Sequence, residues 1–349
     1  MPVPHHRFGQ TTIAKVSDSH ELRQVLVDPW LESEKIIIKP NWVCTEPASF
    51  TDSESLRTLL EALDSRIVVT ESLHIGRSMN LLEEGMSFTV GEKEVNWEWL
   101  FRGEGWNWLM ENRDWGWFKE GGHYDQIKKE DEAFLDIYGF TDLFEEFDVE
   151  YINVTDEVWS GRIADPNEVK RSVETRFKPV QIDKLYSMMP KKLYDLRGST
   201  FISFAKLKYY PTFTIKNLFG MIPDPLRPWW HGHRQRRRAA SIVDINKVYH
   251  SLFNVYGICE ALNTLAVLHP EGEIQSKFLK RPRYNIVEGL GFVAFGRDLV
   301  ALDAILFNLA GFDFKRFWGY INLAEEEFGT FDREALKESE MVVGDWLTP

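Results

Sequence analysis

The chain has 349 residues, 44% hydrophobic and 27% charged, which excludes a disordered protein and allows two domains or one α/β domain with large insertions. Its formal charge of −13 argues against wholesale binding to nucleic acid or an anionic membrane, because phosphates would be repelled on average. No apolar run approaches the roughly 20 residues of a transmembrane helix, and the N-terminus carries no apolar signal segment. Two cysteines, Cys44 and Cys259, cannot build a disulfide framework or a four-cysteine iron–sulfur site. The expectation is a cytoplasmic protein.

In chain order, Thr11–Val16 and Lys35–Lys39 read as strands with a helix over Ser19–Val27 between them. The Ile36–Ile38 triplet is apolar without alternation, as in a strand buried on both faces of a parallel sheet. Pro40 ends that strand and leaves Lys39, Asn41 and Trp42 at its carboxyl end. Thr51 to Glu54 resembles a capping box opening a helix through Leu56, Leu59, Leu60 and Leu63. Arg66–Thr70 is a further strand, ending at Glu71. This β-α-β alternation predicts an α/β fold: a mostly parallel sheet flanked by helices.

Residues 75–148 break the rhythm. Six of the thirteen tryptophans fall between Trp97 and Trp117. The segment reads as an aromatic-rich insertion, either a cover for the core or a lid over a ligand pocket. The chain therefore divides into an N-terminal part of the α/β domain (1–74), the insertion (75–148) and a C-terminal α/β part (149–349). In that last part Val149–Val154 and Ser199–Phe204 read as strands, whereas 160–198 carries mixed charge and no clear period. Ser241–Asn263 reads as one long helix with Ile242, Ile245, Val248, Leu252 and Val255 on a face. Leu265–Leu268, Tyr284–Val287 and Phe292–Phe295 read as strands, Leu299–Leu309 as a helix and Met341–Val343 as a closing strand.

The densest polar constellation follows the Ser199–Phe204 strand. Lys206, Lys208 and Lys216 lie with Thr212, Thr214 and Asn217 just past its carboxyl end, where open α/β sheets bind ligands. Three ammonium groups beside hydroxyl and amide donors suit a carboxylate or phosphate, and a buried lysine there can serve as a base. The bland alternative is three solvated lysines around a packed Leu218-Phe219 turn. His231 and His233 stand next to Arg234, Arg236, Arg237 and Arg238, which favours an anion clamp over a metal site because arginines repel cations. Acid candidates are Asp52, Glu71, Asp244, Glu288 and Asp303; Asp303 is conspicuous within the apolar run Val300–Ile305. Gly289 to Gly296 does not fit a dinucleotide fingerprint, and no phosphate-binding loop, serine elbow or H-E-x-x-H motif is present.

Several segments, in order, resemble the domain of unknown function 362 family. They are Ile36-Ile-Ile-Lys-Pro-Asn41, Thr51-Asp-Ser53, Val68-Val-Thr-Glu-Ser72, Ala205-Lys-Leu-Lys208 with Thr214-Ile-Lys-Asn-Leu-Phe-Gly220, and Leu299-Val-Ala-Leu-Asp303. The resemblance implies an α/β fold but little chemistry, since the family's biochemistry is largely unassigned. Tyr210 stands where the family usually has histidine, and Glu288 to Phe292 lacks the proline of its glycine-rich loop. Many members carry a ferredoxin-like cluster domain; two cysteines could not make one, so a redox role is not expected here.

Residues and resemblance together lead to an enzyme acting on a small anionic substrate. Lys206, Lys208, Glu71 and Asp303 are the expected catalytic groups. Lys39, Asn41, Thr214, Lys216, Asn217, His231 and His233 are expected to bind substrate. The alternatives are a non-catalytic protein that holds an anion or a partner, and a metal-assisted isomerase or racemase. Reaction, cofactor, metal and oligomeric state do not follow from the sequence.

Overall fold

A strand covered by helices on both faces must be apolar on both, and the central strands obey that rule. In the computed structural model, which describes residues 2–74, 77, 87–90, 93–96, 123–223, 227–232, 236–277, 279, 282–312 and 319–346, Ile36, Ile37 and Ile38 are completely buried. The strands are β1 (His5–Phe8), β2 (Thr11–Lys15), β3 (Lys35–Lys39), β4 (Arg66–Glu71), β5 (Ser87–Val90), β6 (Lys93–Asn96), β7 (Glu150–Asn153), β8 (Thr200–Lys206), β9 (Asn254–Ala261), β10 (Thr264–Leu268), β11 (Ile274–Gln275), β12 (Arg283–Glu288) and β13 (Phe292–Gly296).

Eight of them form one sheet in the order β1-β2-β13-β9-β8-β3-β4-β7. The half from β9 to β7 is parallel, and β13, β2 and β1 extend it antiparallel. Ile36 faces Ile67 on one side and Thr200 on the other, so β8, β3 and β4 are parallel neighbours, as their continuous apolar runs predict. Side-chain alternation splits the core into two layers. Ile37, Val68, Phe201 and Cys259 point to the layer containing Ile245 and Leu302, from the helices Arg238–Leu252 and Leu299–Leu309. Ile36, Ile38, Val69, Ile202 and Phe204 point to the layer of the helix Ser53–Ala62.

Three expectations need correction. The predicted helix over Ser241–Asn263 stops at Leu252, and Asn254–Ala261 is β9, a central strand. Its run Val255-Tyr-Gly-Ile-Cys259 is apolar on every side, and periodicity cannot separate such a strand from a buried helix. The segment around Met341–Val343 belongs to the helix Arg333–Trp346 instead of closing the sheet. The cap of the Ser53–Ala62 helix is Asp52, whose carboxylate accepts from the Ser55 amide, one residue later than the Thr51 expected. Thr51 serves the β3 end instead, as described below. The unassigned 160–198 region holds the helices Pro166–Arg176 and Lys191–Asp195 with a 3-10 turn at Asp183–Met188.

Trp97 to Trp117 lie outside the described residues. Within 75–148, Phe134 of the helix His123–Ile137 and Phe140, Leu143 and Phe144 are buried against Trp42 and Phe50. β5 and β6 pair with each other, and β10, β12 and β11 form a separate antiparallel sheet.

Close packing between β9 and the Leu299–Leu309 helix depends on Gly257. A Cβ there would lie 2.6 Å from Leu302 Cδ2 and 3.2 Å from Thr214 Oγ1. Gly257→Ala should therefore cost about 1–3 kcal/mol by overpacking, read by chemical denaturation. Unchanged stability would mean that this helix does not bear on β9.

Candidate functional site

Parallel strands end on one side of a sheet, so their last residues gather there. Lys39 is the last residue of β3, Glu71 of β4 and Lys206 of β8, and Lys206 registers with Glu260 near the end of β9. Past Lys39, Pro40 releases the chain, and the following loop is stapled back. The Asn41 amide donates to Thr51 Oγ1 (3.0 Å), and Thr51 N donates to Asn41 O (3.0 Å). The Trp42 indole donates to Thr51 O at 2.9 Å. Past Lys206, the chain turns into a short helix, Thr214–Asn217, at the same edge.

Asp303 holds that helix. Its Oδ1 accepts from Thr214 N (2.8 Å) and Thr214 Oγ1 (2.6 Å), and its Oδ2 from Ile215 N (3.1 Å) and the Tyr320 hydroxyl (3.2 Å). Burial pushes this carboxyl up to about 7, while the four donors pull the other way. The turn is thereby fixed, and Asn217 is delivered to Lys39.

The polar centre is continuous. The Lys39 ammonium donates to Glu71 Oε2 (2.6 Å), Pro40 O (2.8 Å) and Asn217 Oδ1 (3.0 Å). Asn41 Nδ2 donates to the same Asn217 oxygen (2.9 Å), and Asn217 Nδ2 donates to Lys39 O (3.1 Å) and Ser203 Oγ (3.2 Å). Lys208 donates to Asn41 Oδ1 (2.5 Å) and Ser49 O (2.6 Å) and lies 4.6 Å from the Tyr210 ring centre. The result is a hydrogen-bonded line: Lys208, Asn41, Asn217, Lys39, Glu71. Both asparagine oxygens face donors only, which determines their amide orientation. All five side chains are buried, at 0–3% exposure. Burial lowers Lys208 to about 7, reinforced by the charges of Lys206 and Lys39. Burial also lowers Lys39 to about 8 against the pull of Glu71.

Gly220 seals the pair. A Cβ there would lie 2.6 Å from Lys39 Nζ and 3.0 Å from Glu71 Oε1, so no larger residue fits without displacing the ion pair. This accounts for the glycine that closes the Asn217-Leu-Phe-Gly220 stretch.

The other expected residues lie elsewhere. Lys206 shares the sheet face of Ile202 and Phe204 and pairs with Glu260 (3.0 Å) and, more loosely, Asp52 (3.8 Å), apart from the centre. Thr214 and Asp303 anchor the turn from inside. Lys216 and His231 are half-buried and share Phe219: the ammonium is 4.3 Å from its ring centre and the imidazole stacks at 4.9 Å. Burial first, then the neighbouring cations, hold both well below their ordinary ranges. His233 lies outside the described residues. Asp244 pairs with Lys247 (3.2 Å) and caps Gln181 (2.8 Å), while Glu288 is exposed on the small sheet. Sequence reasoning missed Glu260, because β9 was read as helix, and Ser203, which looked like an ordinary strand residue. Among the described residues no group of three or more His, Cys, Asp or Glu is placed to hold a metal.

Fold and centre define an α/β protein with a buried lysine–asparagine–glutamate line at the carboxyl edge of its parallel strands. The chain belongs to the family described as Domain of unknown function (DUF362), whose model matches residues 36–308. All five members of the line lie within that span. No curated protein and no solved structure matches the chain. No helix among the described residues is long and apolar enough to cross a membrane.

Two measurements test the centre. Lys39 and Lys208 bind protons less readily folded than unfolded, so the unfolded chain holds more protons between their folded values and about 10.4. Their contribution makes stability rise with pH from about 7 to 9, and Lys208→Met should flatten that slope in denaturation series. Glu71→Gln leaves Lys39 buried without its counter-charge and should cost about 3 kcal/mol or more near pH 6. The loss should shrink near pH 9, where Lys39 sheds its proton. Equal losses at both pH values would show that Lys39 is not charged in the folded protein.

Proposed function

We propose that the protein is an enzyme acting on a small anionic substrate, carboxylate- or phosphate-bearing. The supporting observation is Lys208, held at about 7 and joined through Asn41 and Asn217 to the Lys39–Glu71 pair. A lysine near neutrality both accepts and donates a proton at working pH, which is what general acid–base chemistry requires. In this reading Lys208 exchanges protons with the substrate, the charge of the sealed Lys39 tunes Lys208, Glu71 sets the charge of Lys39, and Asn217 orients the pair. Lys216 and His231, half-buried on Phe219, bind the anion on its approach. A cytoplasmic location agrees with two buried cysteines that form no disulfide.

The competing reading is a protein that holds an anion or partner without turnover. Its support is the burial of the whole line, whose members already satisfy one another. Identification of co-purifying metabolites, followed by binding and turnover assays on variants, separates the two. Lys216→Ala should weaken retention of the identified anion at least tenfold, about 1.4 kcal/mol, with melting temperature unchanged. Lys208→Met should abolish turnover while binding persists. A Lys216→Ala protein that is destabilised but binds with wild-type affinity would sink the anion-binding role. Absence of turnover of any recovered metabolite would favour the binding protein.

A further inference from the structure

Arg227 has no place in the line of five, yet it is 5% exposed and its guanidinium binds the wall that closes over them. Nε donates to Ile222 O (3.1 Å), and Nη2 donates to Gly220 O (2.9 Å), Leu73 O (3.1 Å) and the Ser72 hydroxyl oxygen. That hydroxyl in turn donates its one proton to Gly220 O, and Ile222 O lies 3.2 Å from the same oxygen. The fork thus ties the backbone just past β4 to the turn just past Asn217. Gly220 is the point of contact between that turn and the Lys39–Glu71 pair. Arginine suits the task because its planar donors reach several carbonyls in one geometry, which a lysine cannot reproduce.

We propose that Arg227 is a positioning residue: it clamps Gly220 and Ile222 to Ser72 and Leu73, and so keeps Gly220 pressed on the Lys39 ammonium and water away from it. The function of the clamp rests on the reading that the charge of Lys39 tunes Lys208; the clamp itself does not. The charged groups acting on Lys39 are Glu71 on β4, Arg227 and Arg77, and Lys39 in turn acts on Lys208 and Lys216. Losing the clamp admits water, which relieves the burial that lowers Lys39, so its titration should move upward.

The test is a pH titration of the Lys39 ammonium by NMR on the full chain carrying 15N-lysine, with the signal assigned through its contacts to Asn217. In the wild type the signal should titrate near pH 8 with its protons protected from exchange. Arg227→Lys keeps the charge but loses the fork; the midpoint should rise by about one pH unit or more, and exchange protection should fall at least tenfold. Arg227→Met should move it further, because the cation that opposes Lys39 is lost as well. An Arg227→Lys protein with wild-type midpoint and protection would overturn the clamp and leave only a charge effect. Ser72→Ala removes the bridging hydroxyl and leaves the arginine in place. It carries the test if the arginine variants do not fold: the same shift, smaller in size, is expected, and an unmoved signal overturns the proposal. Because the readout is a titration, failure of the clamp is distinguishable from failure of the enzyme reading, which would appear as lack of turnover with the titration unchanged.

Discussion

Burying an ammonium and a carboxylate together costs several kcal/mol per ion before their attraction is counted, and only good geometry with further hydrogen bonds recovers it. The Lys39–Glu71 pair meets both conditions. The two residues end adjacent parallel strands, so the sheet itself sets their separation. The remaining ammonium protons go to Pro40 O and Asn217 Oδ1. Several neighbouring features follow from the requirement. Asn217 must present an oxygen to Lys39, Gly220 must lack a side chain, and the Thr214–Asn217 helix must not shift. Asp303 and Arg227 hold the two ends of that turn, one from the core and one from across the gap to Ser72.

This arrangement separates groups that look equivalent on paper. Lys206 and Lys208 differ by two positions, yet Lys206 is neutralised by Glu260 on one sheet face while Lys208 sits on neutral acceptors beyond the strand. Lys208 has no carboxylate among its hydrogen-bond acceptors to offset its burial, and it falls to about 7. Asp303 illustrates the same principle from the acidic side. Its four donors make it a cap for a helix too short to stand alone, so its isolation in an apolar run reflects anchoring of the turn.

Much of the framework was legible from residue order. β3, β4 and β8 announce themselves by apolar runs ended by Pro40, by Glu71 and by the lysine-rich turn, and their parallel pairing follows from the helix between β3 and β4. Residue order put Lys39, Asn41, Glu71, Lys208 and Asn217 among the candidates at strand ends, but it did not distinguish them from Lys206, Lys216, Thr214, His231 and Asp303, so the line itself was not legible. β9 was not legible either, since its continuous apolar pattern extends that of the preceding helix without a break. Glu260, the partner of Lys206, was hidden with it. Arg227 gave no signal at all: its acceptors are mostly backbone carbonyls, and carbonyls have no residue type.

Local composition thus determined the fold class, the buried strands and the edge of the sheet where polar groups collect. Burial patterns and chain breaks are properties of neighbours along the chain, and those neighbours carry the information. Which lysine would meet a carboxylate, which an amide, and which would stack on Phe219 was decided only by the tertiary structure. The pairs Lys39–Asn217 and Lys208–Asn41 join residues 178 and 167 positions apart, and their contact depends on the order of strands in the sheet. Proton affinities follow from those contacts and from depth of burial, so they too are set by the folded chain as a whole.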